Sequence, residues 1–303
     1  MLQQQPVPIE QGGALKDLGV VNGHLLGMVM EETVRRAILT IRRERFAFST
    51  ETKTDYGGSE DDMVTSADRA AQKVYLRSLR ECFPAIGIVA EEDELSIPST
   101  LPGRDCYFAV DPLDGTKAFV RRQSAGIGTM LALVCDDEVL GAYVGDVMTQ
   151  EIYGFRPGSE NVRRISQYEV TERIEANPSS SLTDQYVSLR EIPEDHTVPA
   201  RRFVGAMGGV DVSSGSIGIQ VARLWKGEVG AVLLPPSHMT PWDFAPVVGV
   251  SRRMGFGFYA VREDEPVPLR MGISRYVVWR PEEVVIAHES RLDELRSLLR
   301  SGS

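Results

Sequence analysis

Two aspartates, Asp111 and Asp114, follow a short apolar run that is typical of a buried strand. The proline between them and the glycine after them favour a sharp turn, in which both carboxylates, the Leu113 carbonyl and the Thr116 hydroxyl could converge on one point. Hard oxygen donors of this kind suit magnesium or manganese. The same residues would also fit an ordinary turn in which Asp114 caps the next helix.

Two other segments each supply a further acid. Glu91 follows a second apolar run, and Asp243 stands between a tryptophan and a predicted turn. If these acids met Asp111 and Asp114 without a cation, each like-charge pair at about 4 Å would cost roughly 4 kcal/mol at an effective dielectric of about 20. Divalent cations would reverse the sign of that interaction. The four acids together therefore predict a metal centre.

Four blocks that contain these acids resemble the motifs of a known family, and they occur in the family's order across most of the chain. The family is the inositol monophosphatase superfamily of magnesium-dependent, lithium-sensitive phosphomonoesterases. The blocks are DMVTSAD at 62–68, AEE at 90–92, DPLDGT at 111–116 and WD at 242–243.

The resemblance implies an α+β fold, a layered αβαβα sandwich of the sugar-phosphatase type with two closely packed subdomains. We expect an N-terminal subdomain at 14–171 that carries most metal ligands. A C-terminal subdomain at 172–303 would complete the catalytic cleft. The resemblance also implies a homodimer.

The resemblance further assigns roles to individual residues. A first Mg²⁺ ion would be surrounded by Glu91, Asp111, the Leu113 carbonyl and Thr116, and a second by Asp111, Asp114 and Asp243. The predicted catalytic residues are Asp68, Thr116 and Glu91. Asp68 would bond Thr116, and this pair would orient the attacking water.

Two assignments keep alternatives. Asp61 and Asp62 are candidates for an element linked to a third metal ion, so we expect two or three ions. Outside the family context, Asp68 fits equally a helix residue paired with Arg69 or Lys73 on a solvated face.

The predicted substrate contacts include three residues at the start of a predicted helix, where the N-terminus can hold an anion or a serine can simply cap the helix. The full set is Asp114, Gly115, Thr116, Lys117, Gly215, Ser216 and Ile217. Inositol-specific relatives usually carry a glutamate where this chain has Pro236. Lys117 looks more like the branch that acts on adenosine bisphosphate or histidinol phosphate. Lys117, Arg121 and Arg122 could meet a second phosphate or an acidic rim, or they could only solvate one helix.

These features predict a phosphoric monoester hydrolase that uses Mg²⁺ and water to cleave a small polyol, sugar or nucleotide phosphate. The alternatives are a bisphosphate nucleotidase acting on adenosine bisphosphate, a histidinol-phosphate phosphatase and a catalytically silent binding protein. His238, five residues before Asp243, is expected to be a structural histidine or to border the cleft.

Composition narrows the class of protein. The chain has 303 residues and a formal net charge of -10, which argues against binding a nucleic-acid polymer. It contains no apolar run of about 18 residues and its first residues lack the pattern of a signal peptide, so we expect no membrane partner and a cytoplasmic location. The three cysteines, an odd and widely spaced set, predict reduced thiols in or near the core.

The element pattern predicts alternating helices and strands. A helix with Val34, Ile38 and Ile41 on one stripe should carry solvated arginines (Arg35, Arg36, Arg42 and Arg43), and a loose tail should cover Met1 to Gly13. A hairpin or mobile loop at 49–62 should precede a helix that begins near Ser66, and 172–199 should join the subdomains. We predict strands at 128–134, 138–145, 152–155, 202–205, 229–234, 276–279 and 284–287, and helices at 217–225 and around Leu292, Leu295 and Leu299.

Overall fold

The computed structural model of the protein describes residues 22–54, 56–58, 62–263 and 265–300. The predicted tail at 1–13 and the candidate Asp61 lie outside these residues. Seven α-helices lie in the described part of the chain: α1 Gly23–Glu44, α2 Ser66–Cys82, α3 Thr116–Val120, α4 Val198–Ala206, α5 Ile217–Trp225, α6 Pro241–Arg253 and α7 Leu292–Arg300. Short 3₁₀ turns occur at Glu92–Glu94, Leu182–Asp184, Pro193–Asp195 and Glu289–Arg291.

The strands form two large sheets and two small ribbons within the described ranges. They are β1 Thr50–Lys53, β2 Asp62–Thr65, β3 Gly87–Ala90, β4 Leu95–Ile97, β5 Cys106–Asp114, β6 Gly128–Cys135, β7 Glu138–Asp146, β8 Ile152–Phe155, β9 Arg163–Ile165, β10 Thr171–Arg173, β11 Tyr186–Leu189, β12 Gly209–Val212, β13 Ala231–Leu234, β14 Ser237–Met239, β15 Phe256–Arg262, β16 Glu265–Pro268, β17 Val278–Arg280 and β18 Val284–His288. The larger sheet has the order β10-β9-β8-β7-β6-β5-β3-β4, and the smaller has the order β12-β11-β13-β18-β15-β16. The ribbons pair β1 with β2 and β14 with β17.

Helices and sheets alternate in five layers. Helices α1 and α2 pack on one face of the larger sheet, α5 and α6 fill the space between the two sheets, and α4 and α7 cover the far face of the smaller sheet. Strand β5 shows why its sequence is continuously apolar: Tyr107 and Ala109 face the α5 and α6 layer, while Phe108 and Val110 face α1 and α2. The αβαβα sandwich is therefore confirmed.

Helix boundaries follow local capping signals. Helix α1 begins after Asn22, whose side chain accepts a hydrogen bond from the Leu25 amide at 2.8 Å. Helix α2 begins after Thr65 with a capping box, in which Asp68 Oδ2 accepts a hydrogen bond from the Thr65 amide at 2.8 Å. The capping box therefore holds the Asp68 carboxylate in the first turn of α2, where it can contact Thr116.

Most predicted elements are confirmed. The stripe of Val34, Ile38 and Ile41 is buried on α1, and the helix at 217–225 is α5. The hairpin predicted at 49–62 is formed by β1 and β2 and extends to Thr65. The strands in 128–155, 229–234 and 284–287 are present with small shifts, and 276–279 overlaps β17. Arg42 is not only solvated, because it donates hydrogen bonds to the Val147 and Met148 carbonyls.

Two element predictions are wrong. Residues 202–205 belong to helix α4, in which the buried Ala200, Phe203 and Val204 follow helical spacing. The segment around Asp243 is the first turn of α6 rather than a turn between elements, and the helix continues through Pro246. In α4 the proline lies in the first turn, where it is compatible with a helix start. In α6 burial of nearly every side chain offsets the cost of the internal Pro246.

The cysteine prediction is wrong for two of the three residues. Cys106 and Cys135 are joined by a disulfide, because the antiparallel pairing of β5 and β6 places them directly opposite each other with 4.1 Å between their Cα atoms. Their separation of 29 positions in the sequence gives no sign of this pairing. Cys82 is free, and it is exposed rather than in the core.

Two further predictions concern membrane contact and the boundary between subdomains. Among the described residues, the helices are too short or too polar to span a membrane. The proposed subdomain boundary at residues 171 and 172 falls inside β10, the edge strand of the larger sheet. The division of the chain into two subdomains stays a prediction.

Candidate active site

A β-bulge at the end of β5 brings Asp111 and Asp114 together. In a regular strand, residues three apart point to opposite faces. Here Asp111 pairs with Met130 and Asp114 with Gly128, so β5 has one more residue than β6 across this interval. The extra residue restores both carboxylates to one side of the sheet.

Gly115 makes the turn that follows the bulge. Its φ of 89° is in the left-handed region, and an added Cβ would lie 2.4 Å from the Gly126 carbonyl oxygen and 2.7 Å from the Ser216 amide nitrogen. These two backbone groups are themselves hydrogen bonded at 2.8 Å. The glycine therefore lets the turn that carries Asp114 lie directly against the start of helix α5.

Asp114 is anchored by the N-terminus of α5. Its carboxylate accepts hydrogen bonds from the Ile217 amide at 3.1 Å, from the Gly218 amide at 2.8 Å and from the Ser216 hydroxyl. Ser216 also caps α5 by accepting from the Ile219 amide at 2.9 Å. Helix capping by Ser216 is therefore present, and the contact of this segment with substrate stays a prediction.

Three carboxylates converge on one point. Asp111, Asp114 and Asp243 each place an oxygen within 4.8 Å of the others. Asp243 comes from the first turn of α6, where it accepts a hydrogen bond from the Thr240 hydroxyl at 2.7 Å. Asp111 Oδ1 is buried and has no hydrogen-bond partner among the described residues. A buried carboxylate oxygen without a donor fits a cation ligand, so the donor set suits a hard divalent ion.

Glu91 lies beside this group and is paired with a lysine. Lys53, from the β1–β2 hairpin, places its ammonium 2.7 Å from Glu91 Oε1, 3.3 Å from Glu92 Oε1 and 3.5 Å from Asp62 Oδ2. Asp62 therefore reaches the edge of the site through Lys53. The sequence indicated none of the contacts of Lys53, because a lone lysine in a polar loop carries no motif.

Asp68 and Thr116 form the hydrogen-bonded pair that the resemblance implies. Thr116 Oγ1 lies 3.1 Å from Asp68 Oδ1 and 3.1 Å from the Leu113 carbonyl oxygen. Asp68 is fully buried, so the pairing with Arg69 or Lys73 on a solvated face does not occur. Arg69 instead pairs with Glu51. The catalytic role of the pair stays a prediction.

Burial and mutual repulsion raise the carboxyl pKa values of the site. Burial, with added repulsion from Glu91, Asp114 and Asp243, holds the pKa of Asp111 well above its ordinary range. Burial raises the pKa of Asp114 to about 6, although the hydrogen bonds from Ser216 and Gly218 lower it. Burial raises the pKa of Glu91 to about 8, against the opposing charge of Lys53. The acids are therefore costly to ionise together unless a cation joins them.

The acids line a cleft of about 350 Å³. Of the predicted substrate contacts, Asp114, Gly115, Thr116, Lys117 and Gly215 line this cleft. Ser216 and Ile217 are buried behind Asp114 and do not line it. Arg121 and Arg122 are also absent from the lining, and the Arg122 guanidinium lies 5.9 Å from the centre of the Phe46 ring.

Sequence reasoning missed part of the cleft wall. Arg190, directly after β11, lines the cleft, and its Nη1 is buried without a hydrogen-bond partner in the described part of the chain. Tyr56, His238 and Trp242 also line the cleft. His238 therefore borders the site, which was the second of its two predicted positions. The sequence did offer one signal for Arg190: it directly follows an apolar stretch, as expected for a side chain at the end of a buried strand.

The chain resembles known proteins over most of its length. One solved structure, an IMPase/NADP phosphatase complexed with Mg²⁺ and phosphate, superposes with a TM-score of 0.68 and 18% identity, covering 93% of this chain and 97% of that one. That likeness shows the shared fold.

Two curated relatives are phosphatases. The inositol-1-monophosphatase of Bacillus subtilis is 24% identical over 213 residues, which are 68% of this chain and 75% of that protein. The 3'(2'),5'-bisphosphate nucleotidase CysQ of Salmonella typhimurium is 35% identical over 103 residues, which are 33% of this chain and 40% of that protein. The model of the inositol monophosphatase family matches residues 28–298, and the chain belongs to this metal-dependent family of phosphatases, which hydrolyse phosphate monoesters.

Proposed function

We propose that the protein is a magnesium-dependent phosphomonoesterase that acts on a small polyol, sugar or nucleotide phosphate. The observation that carries this proposal is the convergence of Asp111, Asp114 and Asp243, with one buried Asp111 oxygen lacking a donor. Such a group of acids would repel a phosphate dianion without added positive charge. The proposal therefore requires divalent cations in the cleft.

Two sets of residues would hold the ions. Glu91, Asp111, the Leu113 carbonyl and Thr116 would serve a first ion, and Asp111, Asp114 and Asp243 a second. Asp62 would contribute to a third. When bound, Mg²⁺ supplies charge neutralisation for the phosphate and a lower pKa for water.

Asp68 and Thr116 would position the attacking water. Asp68 is fixed by the Thr65 amide and hydroxyl, at 2.8 and 2.5 Å. If the Thr116 hydroxyl donates its proton to Asp68, its oxygen is left as an acceptor for one proton of the water. As the water attacks phosphorus, one of its protons would pass to Thr116 and the Thr116 proton to Asp68. The bond between phosphorus and the bridging oxygen would break on the opposite side, and the released alkoxide would take a proton from solvent and leave as the alcohol. Phosphoryl transfer depends mainly on such positioning.

A phosphate-release screen with millimolar Mg²⁺ tests the function. The substrates are inositol 1-phosphate, adenosine 3',5'-bisphosphate, fructose 1,6-bisphosphate and histidinol phosphate. We expect turnover of at least one ester, none in excess chelator, and inhibition by lithium. Because Asp111 is shared between both proposed ions, Asp111→Asn should abolish turnover.

The matched control is Asp137→Asn. Asp137 is exposed in the turn between β6 and β7, so this variant removes the same charge far from the site. Undiminished activity in chelator, or in Asp111→Asn, would show that the proposed metal chemistry is wrong. Absence of turnover on every ester would favour the silent binding protein.

A second candidate function, hydrolysis of a nucleoside bisphosphate, is favoured by Arg190. This guanidinium lines the cleft with one buried nitrogen lacking a hydrogen-bond partner among the described residues, and Lys117 lines the same cleft. Two cations beyond the metal ligands suit a second anionic group on the substrate. The similarity to the bisphosphate nucleotidase CysQ over 103 residues supports this candidate.

Selectivity between substrates distinguishes the two candidates. If Arg190 holds a second phosphate, Arg190→Gln should lower kcat/KM for adenosine 3',5'-bisphosphate roughly 10- to 100-fold more than for inositol 1-phosphate, since a charge-assisted hydrogen bond is lost. Arg121→Gln is the control, because Arg121 lies outside the cleft lining. Equal losses on both substrates would leave Arg190 without a role in a second phosphate.

We further infer, from the family resemblance, a homodimer in the cytoplasm. Sedimentation equilibrium would test the dimer. Fractionation of cells that express the protein would test its location. A monomer at micromolar concentration would contradict the first inference.

A further inference from the structure

A wall of aromatic rings stands at the mouth of the cleft. The rings of Trp279 and His238 have centroids 4.8 Å apart, Tyr56 lies 6.0 Å from His238, and Trp242 lies 6.3 Å from Tyr56. Tyr56, His238 and Trp242 line the cleft, and Trp279 extends the wall outward. We call these four residues the aromatic wall.

The β14–β17 ribbon explains how the wall is built. His238 and Trp279 are directly opposed across the two strands, so their side chains share one face of the ribbon. Met239 and Val278, the next opposed pair, turn to the other face and line a separate apolar cavity. The ribbon therefore presents its ring-bearing face to the catalytic cleft.

Two of these rings are more exposed to solvent than a purely structural role would explain. Trp279 is 54% exposed and Tyr56 is 41% exposed, whereas Asp111 and Asp114 below them are buried. Large exposed aromatic side chains beside a cleft are typical of ligand contacts. The phosphate end of a substrate would reach the buried acids, and the alcohol end would lie against the rings.

The wall is poorly suited to a polyol. Hydroxyl groups pressed against ring faces would lose hydrogen bonds to water. A flat heteroaromatic ring loses little on the same surface and gains stacking.

We propose that the aromatic wall binds a planar heteroaromatic ring on the leaving alcohol of the substrate. This inference rests on the proposed phosphatase function and selects ring-bearing esters among its substrates. Trp279 and His238 are then specificity residues, and the acids remain responsible for the phosphate.

Two esters of secondary alcohols test the wall: adenosine 2'-monophosphate, which carries a ring, and glycerol 2-phosphate, which does not. Trp279→Ala should lower kcat/KM for the adenosine ester roughly fivefold or more and change that for glycerol 2-phosphate by less than about twofold. Trp279→Phe should keep most of the selectivity. Val278→Ala, on the opposite face of the same strand, should leave it unchanged. Equal changes on both esters would overturn the proposal.

A binding measurement decides the question separately from turnover. The chain has three tryptophans, and Trp225 and Trp242 are 1% and 5% exposed, so acrylamide quenching reports mainly Trp279. Adenosine at millimolar concentration should protect this fluorescence from quenching, and glycerol should not. If adenosine protects the fluorescence but no phosphate is released, only the phosphatase proposal is contradicted. If the enzyme is active but adenosine gives no protection, only the aromatic-wall proposal is contradicted.

Discussion

At the scale of single residues, the sharpest prediction concerns Asp68 and Thr116. Because the pair shares one hydrogen bond at 3.1 Å, it should act on water as a unit. Asp68→Asn and Thr116→Ala should each reduce kcat by about 100-fold or more. The double variant should be little slower than either single variant, as measured by single-turnover kinetics. If the two losses multiplied in the double variant, Asp68 and Thr116 would not act on the water as a unit.

Lys53 gives a second prediction at this scale. Its ammonium pairs with Glu91 at 2.7 Å, and a cation at Glu91 would be repelled by it. Lys53→Met should therefore tighten apparent Mg²⁺ binding by about fivefold, since like charges at 4 Å repel by about 1 kcal/mol even in bulk water. Metal titration monitored by thermal denaturation measures the shift. Lys73→Met, an exposed lysine on α2, is the control; equal or weaker Mg²⁺ binding by Lys53→Met would refute the competition.

The residues predicted from sequence and those missed differ in how they are encoded. Asp111, Asp114 and Thr116 occur within six residues, so one turn places them together and a motif can reveal them. Lys53 and Arg190 reach the cleft from a hairpin and from a strand of the other sheet, so only the tertiary fold brings them there. Lys53 has no local pattern around it, and Arg190 is marked only by the apolar stretch that precedes it.

At the scale of elements, the turn after β5 gives a test of backbone geometry. Gly115 and Gly103 both have positive φ, at 89° and 68°. An added Cβ would meet the Gly126 oxygen at 2.4 Å at the first position and nothing within 4 Å at the second. Gly103→Ala should cost about 1–2 kcal/mol of unfolding free energy from the left-handed backbone alone. Gly115→Ala should cost clearly more, because the turn that carries Asp114 must also separate from α5.

Urea denaturation of the two variants measures the difference. Similar losses of unfolding free energy would show that the contact between the Gly115 turn and α5 relaxes without cost. Gly115→Ala should also lose activity, since Asp114 is held by the amides of Ile217 and Gly218 at the same junction.

Elements with strong periodicity were predictable from sequence, and two helices without it were not. Helix α1 has an apolar stripe long enough to be read from sequence, and β5 to β8 have long apolar runs with clear turns. Helix α4 is only nine residues long with a proline near its start, and α6 contains Pro246. Their helical state depends on burial between or against the sheets, and burial is settled only by the whole fold.

At the scale of the whole molecule, the acids in the cleft should make stability depend on pH and metal together. The folded, metal-free protein has a Glu91 pKa of about 8 and an Asp114 pKa of about 6. In the unfolded chain both carboxyls would titrate at about 4. A raised carboxyl pKa contributes stability at low pH that is lost as pH rises through the folded value. The metal-free protein should therefore become less stable between about pH 5 and about pH 8.

Magnesium should reverse this trend, because it binds the ionised carboxylates and so stabilises the folded state more at the higher pH. Calorimetry with chelator and with Mg²⁺ at about pH 5 and about pH 8 measures the fall of the metal-free Tm with pH and the rise of Tm that Mg²⁺ produces. Glu283, a buried acid outside the cleft, should not add to this trend. Burial opposes its ionisation, but hydrogen bonds from His196 and Thr197 lower its pKa, so its contribution to the free energy of unfolding is the same at about pH 5 and about pH 8. Asp243→Asn removes one repelling charge and should raise the metal-free Tm at pH 8 while reducing the gain from Mg²⁺. A metal-free Tm that stays level or rises with pH would show that the cleft acids do not repel each other as their geometry implies.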